Sequence, residues 1–159
     1  MEQFEATGNY YLISHLTLIT GLSDRTIRNY IANGTLKGEK INGLWHFTPE
    51  EVEIFIRNPT VMPSIQAKHN AVIFDFLFDR KKSSEESCIV LDLPGHDPKD
   101  TAEYFCYAIT NGTYKNIRFT FNRTLGVPRV ILRGKYRDIQ LLTGHYFDQM
   151  SNNCNDILP

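Results

Sequence analysis

The chain has 159 residues, 42% hydrophobic and 22% charged, with a formal net charge of -1. Those are the figures of a globular protein of one ordinary domain, or of a very small module joined to a second one. No apolar run approaches the roughly 18 residues of a membrane span, so no membrane partner is expected. Met1 to Tyr10 carries two glutamates and no basic residue, the wrong charge for a secretory signal, and the expected location is cytoplasmic.

Tyr11 to Ile19 places Leu12, Ile13, Leu16 and Ile19 at helical spacings of three and four, which makes one buried stripe. Gly21 breaks the pattern where a helix can end in a left-handed residue. Leu22 then acts as a plug, and Ser23 stands at a natural N-cap. A second helix is expected from about Asp24 to Ala32, burying Ile27 and Tyr30 or Ile31 and stopped by Asn33-Gly34. Two short helices around a tight glycine turn make a helix-turn-helix. Asn42-Gly43 follows as a hairpin signal between strands of three or four residues. Thr48-Pro49-Glu50-Glu51 then gives an N-cap, a proline at the first helical position and a glutamate at the third, so a third helix runs through Val52, Phe55 and Ile56 until Asn58-Pro59.

Charge is unevenly placed over this stretch. Arg25, Arg28, Lys37 and Lys40 face only Glu39 between Arg25 and Phe47, while Glu2, Glu5, Glu50, Glu51 and Glu53 lie outside that window. A local basic surface matters more to a polyanion than the average over the chain. The order Ile13-Ser14-His15-Leu16, Thr20-Gly21-Leu22-Ser23, Arg25-Thr26-Ile27-Arg28-Asn29-Tyr30, Gly34-Thr35-Leu36 and Gly43-Leu44-Trp45-His46-Phe47-Thr48-Pro49-Glu50-Glu51-Val52 resembles the MerR-type winged helix-turn-helix and the related excisionase-like modules. Asn29 stands where the family usually carries a second tyrosine, and no long heptad helix follows. The resemblance covers about a third of the chain. It implies a sequence-specific transcription regulator bound to double-stranded DNA, or an architectural factor of the excisionase kind.

On that reading Ser23, Arg25, Thr26, Arg28, Asn29 and Tyr30 lie on or just before the recognition helix, where donors reach base edges and phosphates. Arg25 and Arg28 are three apart and share a face, and an arginine fork fits guanine. The resemblance makes Tyr30 a backbone contact or a core packer. Lys37, Lys40 and His46 sit on the wing as candidate phosphate contacts, and Trp45 either joins them or packs the wing onto the helices. A head this small makes few contacts, so a homodimer reading two half-sites is expected.

Two prolines between Asn58 and Ser64 read as a linker, giving a head over 1–58, a linker over 59–66 and a second domain over 67–159. Ala67 to Arg80 reads as a helix through Ala67, Ala71, Phe74 and Phe78, with Ile73 and Leu77 beside them. So much apolar surface implies packing on two sides, against a core and a partner subunit. The alternation of Phe74, Phe76 and Phe78 would also fit a strand. Beyond the charged loop at Arg80 to Ser87, strands are expected at Cys88–Leu93, Asn116–Asn122 and Arg129–Arg133, with helices at Lys99–Thr110 and Tyr136–Gln149. The class is therefore α+β, a winged head of three helices and a hairpin followed by a small α+β sandwich that dimerises, binds an effector, or both. Alternation puts Arg118 on one face of its strand and Arg129 and Arg133 on one face of the next. If those faces coincide they offer a site for a small anionic effector, or else a solvated sheet surface. A protein-interaction or effector-sensing module tethered to DNA is the alternative in which this half dominates.

Nothing points to catalysis. Gly95-His96-Asp97 is a loop after a strand, but no second histidine or carboxylate stands at a motif spacing from it, and His69 and His145 have no better claim. Cys88, Cys106 and Cys154 are an odd set without a close pair, read as free thiols rather than a disulfide framework or zinc site. No cofactor, metal or enzymatic activity is expected.

Overall fold

The computed structural model describes residues 10–155 apart from 112, 113, 115 and 125. The first nine residues of the expected head and the side chain of Cys154 lie outside the described residues. The class is mixed α+β, with six helices and two small antiparallel sheets among the described residues.

The first helix, α1 (Ile13–Thr20), ends at Gly21 in the left-handed region with φ 74°. A side chain there would also meet the Cβ of Lys68 at 2.9 Å, so the position is doubly restricted to glycine. Ser23 caps α2 (Asp24–Ala32), its hydroxyl accepting from the Thr26 backbone N–H. The hairpin β1 (Glu39–Ile41) and β2 (Leu44–His46) turns at Asn42 and Gly43, both at positive φ. Thr48 and Glu51 close a reciprocal capping box on α3 (Pro49–Arg57). A bridge between Tyr11 and Phe47 ties the start of this unit to the end of the hairpin.

The stretch expected to be a linker is helical from Met62, because α4 spans Met62–Phe78. Pro63 did not prevent this. It sits in the first turn, where its missing N–H would have no intrahelical acceptor. Phe74, Phe76 and Phe78, which alternate as a strand would, all lie on this helix.

The larger sheet has the order β3-β5-β4, built from β3 (Glu86–Asp92), β4 (Arg118–Thr124) and β5 (Val127–Lys135), all antiparallel. Helices α5 (Pro98–Thr110) and α6 (Tyr136–Asn155) cover one face, where Phe105, Leu142 and Tyr146 pack on Phe119, Val130 and Leu132. Helix α4 lies against the other face. Helix α1 packs on β4 and α5 as well as on α2, so Leu16, Ile27 and Phe55 belong to the same buried apolar cluster as Phe105 and Tyr146.

Candidate nucleic-acid interface

Helix α2 buries one face and exposes the other. Ile27 is fully buried, while Arg25, Arg28 and Asn29 all point to solvent. At 100° per residue those three fall on one side of the helix, opposite Ile27. Arg28 forms an ion pair with Asp24 one turn earlier, Nε to Oδ1 2.6 Å, with both side chains more than half exposed. A solvated pair of this kind is worth about 0.3–0.5 kcal/mol, so exchanging it for another anion costs little. Arg25 is exposed beside it.

The other expected contacts divide by geometry. Ser23 and Thr26 are engaged with each other, Oγ to Oγ1 2.9 Å, in the cap of α2. Tyr30 is half-buried with its ring edge-on to Phe55 at 5.4 Å, and its carbonyl accepts from the Leu36 N–H. Packing is thus its structural role. Lys37 and Lys40 are exposed, and the Lys40 ammonium lies 6.0 Å from the Trp45 ring. Trp45 is half-buried and stacks towards Phe47, which anchors the hairpin on the helices. His46 is stacked on Tyr10 at 4.1 Å, so its ring belongs to the base of the hairpin. At the tip, Ile41 and Leu44 face each other across the turn, each 40% exposed.

Two buried histidines bond to the two ends of α1. His15 Nδ1 accepts the Leu12 backbone N–H at 2.9 Å at the start of α1, and burial lowers its pKa to about 4. His69, on α4, donates from Nε2 to the Ile19 carbonyl at 2.9 Å. Burial lowers its pKa too, partly opposed by that hydrogen bond, and its Nδ1 has no hydrogen-bond partner. Neither histidine was assigned a role from sequence. The Ile19 partner of His69 lies 50 residues away, beyond any local pattern.

The three sheet arginines do share a face. Arg118 stands opposite Arg133, and Asn122 opposite Arg129, across the β4–β5 ladder. Their charges, however, are matched by carboxylates. Arg118 pairs with Asp75 at 3.1 Å, and Arg129 holds Asp92 through two bonds of 2.7 and 2.9 Å. Arg133, 9% exposed along its side chain, reaches Asp79 at 3.0 Å and Glu86 at 2.5 Å and lies over the Phe76 ring. The Lys81 N–H and Arg133 hold the Asp79 carboxyl below its ordinary range, and Arg129 does the same for Asp92. These arginines fasten the sheet to α4 and to its own edge strand. Asp75 on α4 and Asp79 at its C-cap, four apart, were the visible signal for this.

A second fastening was not read from sequence. Arg123 of β4 and Arg57 both reach Glu53 of α3, tying the N-terminal helices to the sheet. In the loop before α5, Asp97 caps the helix by accepting the Asp100 N–H, and His96 hydrogen-bonds the buried Tyr146 hydroxyl at 2.7 Å. His145 pairs with the Tyr114 hydroxyl at 2.8 Å. Cys88 and Cys106 are free, and burial pushes both thiols up. No helix among the described residues is long and apolar enough to cross a membrane.

No protein-family model matches the chain, and no curated protein or solved structure is significantly similar to it.

Proposed function

We propose that this chain is a sequence-specific DNA-binding transcription regulator, its residues 11–57 a winged helix-turn-helix that acts in a homodimer. The observation that carries the reading is the division of α2. Its apolar side is buried while Arg25, Arg28 and Asn29 form an outward row, and a hairpin follows, with Lys37 before it and Lys40 on it both exposed. Arginine forks on such a row read guanine edges, and the lysines meet phosphates.

The test is a fluorescence-anisotropy titration of the promoter region nearest the chain's own gene. Arg28→Ala and Arg25→Ala should each weaken specific binding by about 10- to 100-fold, the effect of one lost base contact. Lys40→Ala should weaken binding to all sequences alike and make the salt dependence shallower by about one phosphate contact. Binding indifferent to salt, or to both arginine substitutions, would refute the reading.

A second reading, an architectural factor that bends DNA, is favoured by Ile41 and Leu44, which expose a paired apolar tip on the hairpin. Apolar wedges of this kind unstack base steps from the minor groove and kink the duplex. A large bend in end-to-end energy transfer across the bound duplex, lost in Ile41→Ser with Leu44→Ser while phosphate contacts persist, would select it.

A further inference from the structure

We infer that the outer face of α4 is the surface on which a second copy of this chain docks, the two α4 helices running antiparallel. This deepens the homodimer reading above, on which it rests, by naming where the copies meet. Helix α4 is apolar on two sides. Its inner side buries Ile65, His69 and Val72 against the rest of the molecule. Its outer side carries Ala67, Asn70, Ala71, Phe74, Leu77 and Phe78, of which Phe74, Leu77 and Phe78 are 56%, 59% and 76% exposed. Positions 67, 70, 74 and 77 alternate steps of three and four, the spacing of a seam between two helices. Two charged residues of the helix, Lys68 and Asp75, lie on its flank, where Lys68 abuts Gly21 and Asp75 reaches Arg118. The outer face itself is free of charge from Pro63 to Phe78.

The face is complementary to itself in one orientation. Its large side chains cluster at the C-terminal end and its alanines lie towards the N-terminal end. A parallel pairing would set phenylalanine against phenylalanine and hold the alanines apart. An antiparallel pairing about a two-fold axis near Ala71 and Val72 sets Phe74, Leu77 and Phe78 of one copy over the alanine end of the other, large against small. The fold then becomes two sheets back to back, separated by the helix pair.

Size sets the strength. Taking aromatic side chains as roughly 150–250 Å², the exposed parts of Phe74, Leu77 and Phe78 present on the order of 350 Å² of apolar surface. That is about half the ~800 Å² each partner contributes to a standard interface, which places the dimer in the weak, concentration-dependent class.

Sedimentation velocity from sub-micromolar to hundreds of micromolar protein should show a reversible monomer–dimer exchange. Leu77→Glu with Phe78→Glu, at exposed positions, should weaken dimerisation at least about tenfold with an unchanged circular-dichroism spectrum and melting curve. Orientation is read by cross-linking after Cys88 and Cys154 are replaced by serine. Ala71→Cys, near the axis, should form a disulfide dimer by itself, and Leu77→Cys only when combined with Gln66→Cys. A chain monomeric throughout, a dimer indifferent to the double glutamate variant, or a dimer without the Ala71→Cys cross-link overturns the inference. The two readings fail separately. A dimer that binds no duplex ends the regulator and leaves the surface, whereas a monomer that binds single half-sites ends the surface and leaves the regulator.

Discussion

His15 and His69 make the acid stability of this protein calculable in sign. Both are buried as neutral rings, with pKa values below the ordinary 6.5, His15 at about 4. Between those values the unfolded chain binds protons that the folded chain refuses, so stability is full above pH 6.5 and falls as pH drops towards 4. A shift of this size for His15 corresponds to about 3 kcal/mol between the two ends of that window. Urea midpoints measured from pH 8 to pH 4 should therefore be flat and then decline steeply, and His69→Gln should make the decline shallower, since its amide can still donate to Ile19 without titrating. A midpoint independent of pH down to 4 would contradict the burial of these rings. Ser23 offers a contrast in legibility. Its cap on α2 could be read from Gly21-Leu22-Ser23 alone, because a cap is a matter of three neighbouring residues, and Ser23→Ala should cost about 1 kcal/mol. The role of His69 could not be read, because what defines it is a carbonyl on another helix.

The hairpin and α4 show how far local rules reach. Asn42-Gly43 fixed the turn, since positive φ at both positions suits few residues, and the strands fell where the turn required. What the pattern did not reveal is why Gly38 precedes it. A Cβ there would lie 2.5 Å from the Phe47 ring, which is fully buried, whereas Gly43 has open space around it but a φ of 83°. Gly38→Ala should cost about 1–3 kcal/mol by overpacking, and Gly43→Ala about 1–2 kcal/mol by backbone strain alone. The two are separable by Trp45 fluorescence, which should shift in the folded state for Gly38→Ala and stay in place for Gly43→Ala. Helix α4 misled the sequence reading for a definite reason. Two prolines in five residues resemble a linker, yet Pro59 lies before the helix and Pro63 in its first turn, where proline is tolerated. The sheet arginines were seen as a cluster but not as a neutralised one, because alternation assigns faces and says nothing of the helix laid across them.

At the level of the entire chain the decisive fact is that the N-terminal helices do not have a core of their own. Leu16, Ile19 and Phe55 are continuous with Phe105, Phe121 and Tyr146, α1 packs on β4, and Glu53 binds Arg123 across the same junction. Sequence periodicity identified each buried stripe but could not say that two of them met, since contact between stripes is a property of three-dimensional packing. A shared core implies one cooperative unfolding unit. Trp45, the chain's single tryptophan, reports on the hairpin, while circular dichroism reports on all the helices. Their denaturation curves should coincide. Leu142→Ala, in a fully buried position of α6, should shift both midpoints together by an amount corresponding to about 2–5 kcal/mol, although no part of α6 belongs to the N-terminal unit. A Trp45 transition that keeps its midpoint in Leu142→Ala would mean the N-terminal helices unfold as an independent body. If the transitions move as one, a change on the N-terminal helices and a change at the far side of the sheet draw on the same folding free energy, and any ligand or partner that stabilises one end stabilises the other by linkage.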